Sequence, residues 1–122
     1  MKLTSIVPMP ATTDIPATVR FYRERLGFEC KAQMDGWACL ERDGVELMLS
    51  APNAHLLFEK PMLTGSLYFR LNTTDDVDEL WEKVRGETPA VYPIEDFEYG
   101  MREFAIRDNN GYILQFGAEI GE

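Results

Sequence analysis

Apolar residues recur along this chain with two alternating periods. Between positions 14 and 27, Val19, Phe21, Tyr22 and Leu26 fall mostly on one helical stripe, with Arg20, Arg23, Glu24 and Arg25 largely outside it. Asp14 is placed to cap this helix and Pro16 falls in its first turn, so the pattern predicts an amphipathic helix lying on a sheet. The period then shortens to two. Residues 28–34, 37–42 and 45–50 read as three antiparallel strands turned at Asp35-Gly36 and Asp43-Gly44. A further strand over 3–9, ended by Pro8, Pro10 and Thr12-Thr13, precedes the helix. The predicted order is β-α-β-β-β.

The same order returns downstream. A strand over 66–71 leads to a helix capped by Thr74, Asp75 and Asp76 and running to about Arg85, with Val77, Leu80, Trp81 and Val84 as its buried stripe. Pro89 and Pro93 interrupt the chain after this helix, so a short strand is expected over 90–92 and a loop over 94–99. The hairpin over 100–116 echoes the one over 36–49: each is a strand-like run, an Arg-Asp turn closed by Gly, and a second run. Gly27 and Gly86 stand where left-handed caps would end the two helices. These observations predict one α+β domain made of two βαβββ repeats, about 1–52 and 65–122, joined by a linker at 53–64 and forming a curved mixed sheet around a cavity.

Charge narrows the partners. Twenty-one acidic residues against twelve basic ones give a net charge of −9, a field that repels nucleic acid and anionic lipid and attracts cations. No apolar run reaches membrane-spanning length and no signal-peptide pattern opens the chain, so a cytoplasmic protein with no membrane partner is expected. The two cysteines, Cys30 and Cys39, read as reduced packing residues. The segment over 94–99 interleaves Glu95, Asp96 and Glu98 with Phe97 and Tyr99, a combination that suits an organic cation through stacking and charge pairing.

Strand alternation assigns residues to a helix-covered face or to an open, concave one. Val45, Leu47 and Leu49 are expected to meet the first helix, leaving Glu46 and Met48 on the concave side. Trp37 is placed there too, because Ala38 and Leu40 suit helix packing. In the second half Tyr68, Glu103, Ile113 and Gln115 face away from the core residues Phe104, Ile106, Leu114 and Phe116. With Val7, Met9 and Ser66, the concave set is mostly apolar and aromatic with two carboxylates, which fits an organic ligand better than a metal ion.

Asp14-Ile-Pro-Ala-Thr-Val-Arg-Phe-Tyr-Arg-Glu-Arg-Leu-Gly-Phe28 and Gly100-Met-Arg-Glu-Phe-Ala-Ile-Arg-Asp-Asn-Asn-Gly111 resemble segments of the vicinal oxygen chelate superfamily, which contains glyoxalase I, extradiol dioxygenases, and fosfomycin- and bleomycin-resistance proteins. The resemblance covers nearly the whole chain. It implies two βαβββ modules, a homodimer and ligand sites between subunits. Family metalloenzymes hold a divalent ion with residues that match positions near Val7, Met48, Ser66 and Gln115 here. A hydrocarbon and a thioether offer that ion no hard donor, and the single histidine, His55, lies in the linker. The resemblance is therefore closer to the metal-free, bleomycin-resistance-like branch, whose members are acidic dimers that sequester a bulky cation by stacking it on aromatics. A stacking position of that branch falls on Trp37.

Three readings are open at this point. The first is a binding protein without metal, cofactor or catalytic residues, taking a cationic or aromatic small molecule through Trp37, Glu46, Met48, Tyr68, Phe97, Tyr99, Glu103 and Gln115. The alternative is a metal-dependent lyase, isomerase or dioxygenase with an atypical site, in which Glu46, Glu103 and Gln115 do acid-base or weak metal work and Tyr68 donates a proton. The third is a structural or regulatory dimer with a vestigial cavity.

Overall fold

The computed structural model describes residues 1–52 and 66–121, so the expected linker and His55 lie outside the described residues. The chain divides into two compact units, Met1–Met62 and Leu63–Glu122. Among the described residues no helix is long and apolar enough to cross a membrane.

In the first unit Asp14 caps helix α1 (Ile15–Leu26): its side chain accepts from the Ala17 amide at 3.0 Å, and Pro16 sits in the first turn. Gly27 ends the helix in the left-handed conformation, φ 73°, which a side chain would make costly. Val19, Tyr22 and Leu26 are buried from one face of α1. Strands β1 (Glu29–Met34), β2 (Trp37–Arg42) and β3 (Val45–Ser50) come next in the chain and form an antiparallel sheet in that order. The β2–β3 turn is Asp43-Gly44 with both φ values positive, at 53° and 82°, the hairpin geometry that Asp-Gly accommodates. Ala38, Leu40, Leu47 and Leu49 are fully buried, whereas Val45, expected among them, is half exposed at the strand end.

The expected first strand over 3–9 does not form. Pro8 and Pro10 present their carbonyls to the Met48 and Ser50 amides at 2.9 and 3.2 Å, and the Thr12 amide donates to the Ser50 carbonyl at 2.9 Å. A parallel ladder also needs donors from this segment, and proline has none. Pairing is thus confined to one bridge, Ala11 to Ser50, and Leu3 and Ile6 are exposed.

The second unit contains β4 (Ser66–Arg70), α2 (Thr74–Val84), β5 (Ala90–Phe97), β6 (Met101–Arg107) and β7 (Ile113–Glu119), with strand order β4-β7-β6-β5 and β4 parallel to β7. Thr73, rather than the residues after it, caps α2. Its hydroxyl accepts from the Asp76 amide at 3.2 Å while the Asp76 carboxylate accepts from the Thr73 amide at 3.3 Å, a reciprocal capping box. The helix ends through Arg85 in right-handed geometry, so Gly86 is not the left-handed cap that Gly27 is. One side of the sheet packs an aromatic column beneath α2: Trp81 lies 5.1 Å from Phe104, Phe104 5.3 Å from Phe116, and Phe116 5.0 Å from Phe69.

The segment over 94–99, expected as a loop, belongs mostly to β5. Pro93 is tolerated because β5 is an edge strand and its pairing with β6 shifts register twice, between Ala90 and Tyr92 and between Tyr92 and Glu95. Only the turn after Phe97 remains irregular.

Candidate functional site

The face of the second sheet opposite α2 carries the chemistry. Cross-strand partners share a face, and the register places Tyr68 beside Gln115, Glu103 beside Gly117, and Ala105 beside both Gln115 and Tyr92. The bulge around Pro93 decides that Tyr92 stands on the same face as Phe97. Simple alternation would have put it on the other.

Glu103 is the centre of this face and is only 3% exposed. Its Oε2 accepts a hydrogen bond from the Tyr68 hydroxyl at 2.5 Å, and its Oε1 accepts from the Tyr92 hydroxyl at 3.2 Å and from the Tyr99 hydroxyl. The network continues through Gln115, whose Nε2 donates to the Tyr92 oxygen at 3.0 Å and whose Oε1 accepts from Ser66 Oγ at 2.7 Å. Gly117 makes room for it: a Cβ there would fall 2.1 Å from the Tyr68 hydroxyl and 3.0 Å from Glu103 Cβ. Phe97 stacks on Tyr99 with centroids 5.4 Å apart, and Tyr92 meets Phe97 edge-on at 5.6 Å.

The phenols are held in their donating form. Burial, then the hydrogen bond to Glu103 and its charge, push Tyr68 well above the ordinary tyrosine range. Burial likewise raises Tyr92, against the opposing hydrogen bond from Gln115. Tyr99 is pushed up to about 12, chiefly by its hydrogen bond to Glu103. The three phenols are therefore neutral hydrogen-bond donors at neutral pH.

The arginines of this unit have partners other than Glu103, including Arg70 and Arg107, which the register puts on the same face. Arg102, on the α2 side, forms a fork to Asp96 at 2.7 and 3.2 Å and reaches Asp78 at 3.0 Å. Arg70 faces Glu119 at 4.0 Å, Arg85 pairs with Glu82 over the Trp81 ring, and Arg107 donates to the Gly111 carbonyl. Among the described residues the partners of Glu103 are three neutral phenols and no cation. A buried carboxylate without a counter-charge is costly to desolvate, and a positively charged group brought to it recovers that cost.

Five of the expected ligand residues, Tyr68, Phe97, Tyr99, Glu103 and Gln115, are brought together here. Tyr92 joins them unforeseen, and Ser66 through Gln115. Of the acidic trio over 94–99, Asp96 is turned to the opposite face by Arg102. The other three expected residues belong to the first unit. Trp37 pairs with Ser50, Cys39 with Met48, and Glu41 with Glu46, so Trp37, Glu46 and Met48 share a face with Cys39, away from α1. The Cys39 thiol, pushed up by burial, donates to Glu46 Oε2 at 3.7 Å. Trp37 and Met48 are half-buried and Glu46 is exposed.

The residues matched to metal-binding positions do not fit a divalent ion. Val7 and Met48 lack a hard donor, and the amide of Gln115 is spent on Ser66 and Tyr92. Among the described residues, no three His, Cys, Asp or Glu side chains are grouped as a metal site would require.

A family profile described as the Glyoxalase/Bleomycin resistance protein/Dioxygenase superfamily matches residues 9–116. Comparison with curated protein sequences gives no match. Among solved structures, a glyoxalase/bleomycin resistance protein/dioxygenase from Nocardioides is similar at 22% identity and TM-score 0.82, covering 98% of this chain and 85% of that one. A lactoylglutathione lyase from Agrobacterium tumefaciens is similar at 19% identity and TM-score 0.75, covering 94% and 92%. The bleomycin-binding protein of Streptomyces verticillus, solved with copper(II)-bleomycin, is similar at 26% identity and TM-score 0.72, covering 100% and 99%.

Proposed function

Because this chain belongs to the glyoxalase/bleomycin resistance protein/dioxygenase superfamily, we propose that it is a metal-independent binding protein that sequesters a cationic, aromatic small molecule. The observation that carries this reading is Glu103: a carboxylate 3% exposed, held by three phenols, beside a stacked Phe97–Tyr99 pair, with no cation among its described partners. A flat organic cation supplies the missing charge to Glu103 and an extended surface to the rings. The net charge of −9 favours the same class.

Trp37, Glu46 and Met48 are proposed as further ligand contacts and Gln115 as the residue that fixes Tyr92. The protein works as a cytoplasmic homodimer with its ligand cleft at the subunit interface, and sequestration protects the cell from a toxic compound. The likeness to a bleomycin-binding protein supports this class of ligand.

Titration calorimetry of metal-stripped protein with a bleomycin-type glycopeptide and with smaller aromatic cations tests the proposal. Saturable binding is expected, and Glu103→Gln should weaken it by about 2 kcal/mol or more, the usual cost of losing one partner of a desolvated charge pair. Equal affinity in the wild type and in folded Glu103→Gln protein would remove the carboxylate from the site. Binding that appears only on adding a divalent metal would return the chain to the enzymes of its family.

A further inference from the structure

The three phenols on Glu103 are not equivalent. Tyr68 stands on β4 with its hydroxyl fitted over Gly117, where no side chain competes for the space. Tyr92 stands on β5 with its oxygen also accepting from Gln115. Tyr99 belongs to neither strand. It sits in the turn between β5 and β6, is 62% exposed, and its hydroxyl has Glu103 as its hydrogen-bond partner. Its departure would leave Oε1 accepting only from Tyr92 and Oε2 only from Tyr68, so each oxygen would keep an accepting direction for a new donor.

Resting on the binding function proposed above, we infer that Tyr99 is a displaceable latch and that the ligand's cationic group is a planar amidinium or guanidinium, whose paired N–H donors replace the Tyr99 hydroxyl on Glu103. A carboxylate with one open direction on each oxygen matches a two-pronged N–H fork. A quaternary ammonium brings charge but no donor, and it leaves the direction vacated on Oε1 and the open one on Oε2 unfilled. The ring of Tyr99, stacked on Phe97, stays available to the ligand's own aromatic surface after its hydroxyl has been displaced. The hydroxyl therefore competes with the ligand, and removing it improves binding.

Benzamidinium and its tetramethylated amidinium, which has the same charge but no N–H, are the probes. Calorimetry on the wild-type dimer or monomer, whichever forms, should show benzamidinium binding tighter by about tenfold, the worth of hydrogen bonds to a charged acceptor. In Tyr99→Phe, whose fold near-ultraviolet circular dichroism verifies, benzamidinium should bind a further 3- to 10-fold or so tighter. The tetramethyl compound should gain nothing. Equal wild-type affinity for the two probes would overturn the inference without any variant. So would benzamidinium binding that Glu103→Gln weakens but Tyr99→Phe does not strengthen, and that result would leave the binding function standing. Failure of both probes to bind any form would overturn the inference and, if aromatic cations at large also fail, the function beneath it.

Discussion

Tyr68, Tyr92 and Tyr99 give Glu103 what a buried carboxylate needs, hydrogen-bond donors, without giving it a charge partner. This arrangement has a signature in alkali. The folded-state values of all three phenols lie above the ordinary 10.0, Tyr99 at about 12. A group whose folded value is raised contributes stability that is complete below its unfolded value and is lost as pH rises through the folded one. The urea midpoint should therefore fall between pH 10 and pH 12, and Tyr99→Phe should fall less steeply over that window. Identical slopes would mean that Tyr99 does not donate to Glu103 in solution. At this scale the sequence was readable in part: Tyr68, Glu103 and Gln115 occupy alternating positions of regular strands, and period two was enough to put them on one face. Tyr92 was not readable, because its face depends on a register shift around Pro93 that alternation cannot supply.

At the scale of elements, β7 sets the geometry of the site by having no side chain at one position. A methyl at residue 117 would displace the Tyr68 hydroxyl from Glu103. Gly117→Ala should cost about 1–3 kcal/mol in urea unfolding, the usual range for overpacking. It should also bring one tyrosine closer to its ordinary titration range by ultraviolet absorbance. Unchanged stability together with unchanged titration would show that the strands have room to spare there. Helix α1 was legible from its caps, Asp14 and Gly27, because capping is a contact between near neighbours. The cap of α2, by contrast, falls on Thr73, one residue before the expected Thr74, and Gly86 does not end it in the left-handed form. The elements that departed from the pattern are those where proline removes donors. Pro8 and Pro10 leave the segment before α1 with a single bridge, while the edge position of β5 lets Pro93 stay within a strand.

For the whole molecule, the charge of −9 acts at a distance and Glu103 acts in contact, and the two are separable by salt. Raising the ionic strength from about 0.05 to 0.5 M should slow association of a cationic ligand several-fold, since the long-range field is screened within roughly 10 Å at intermediate salt. Dissociation, governed by the desolvated contact with Glu103, should change little. Stopped-flow kinetics at both salt concentrations reads the two rates, and salt that acts only on dissociation would place the cation at the exposed surface. What the sequence determined by itself was local or additive: the helices, the hairpins, the repeat, the family and the sign of the field, each set by neighbouring residues or by a sum over the chain. The tertiary structure alone decided which donors surround one carboxylate. Tyr68, Tyr92 and Tyr99 are separated from Glu103 by 35, 11 and 4 positions, and only strand register, a bulge and a glycine-sized gap bring their hydroxyls to the same two oxygens.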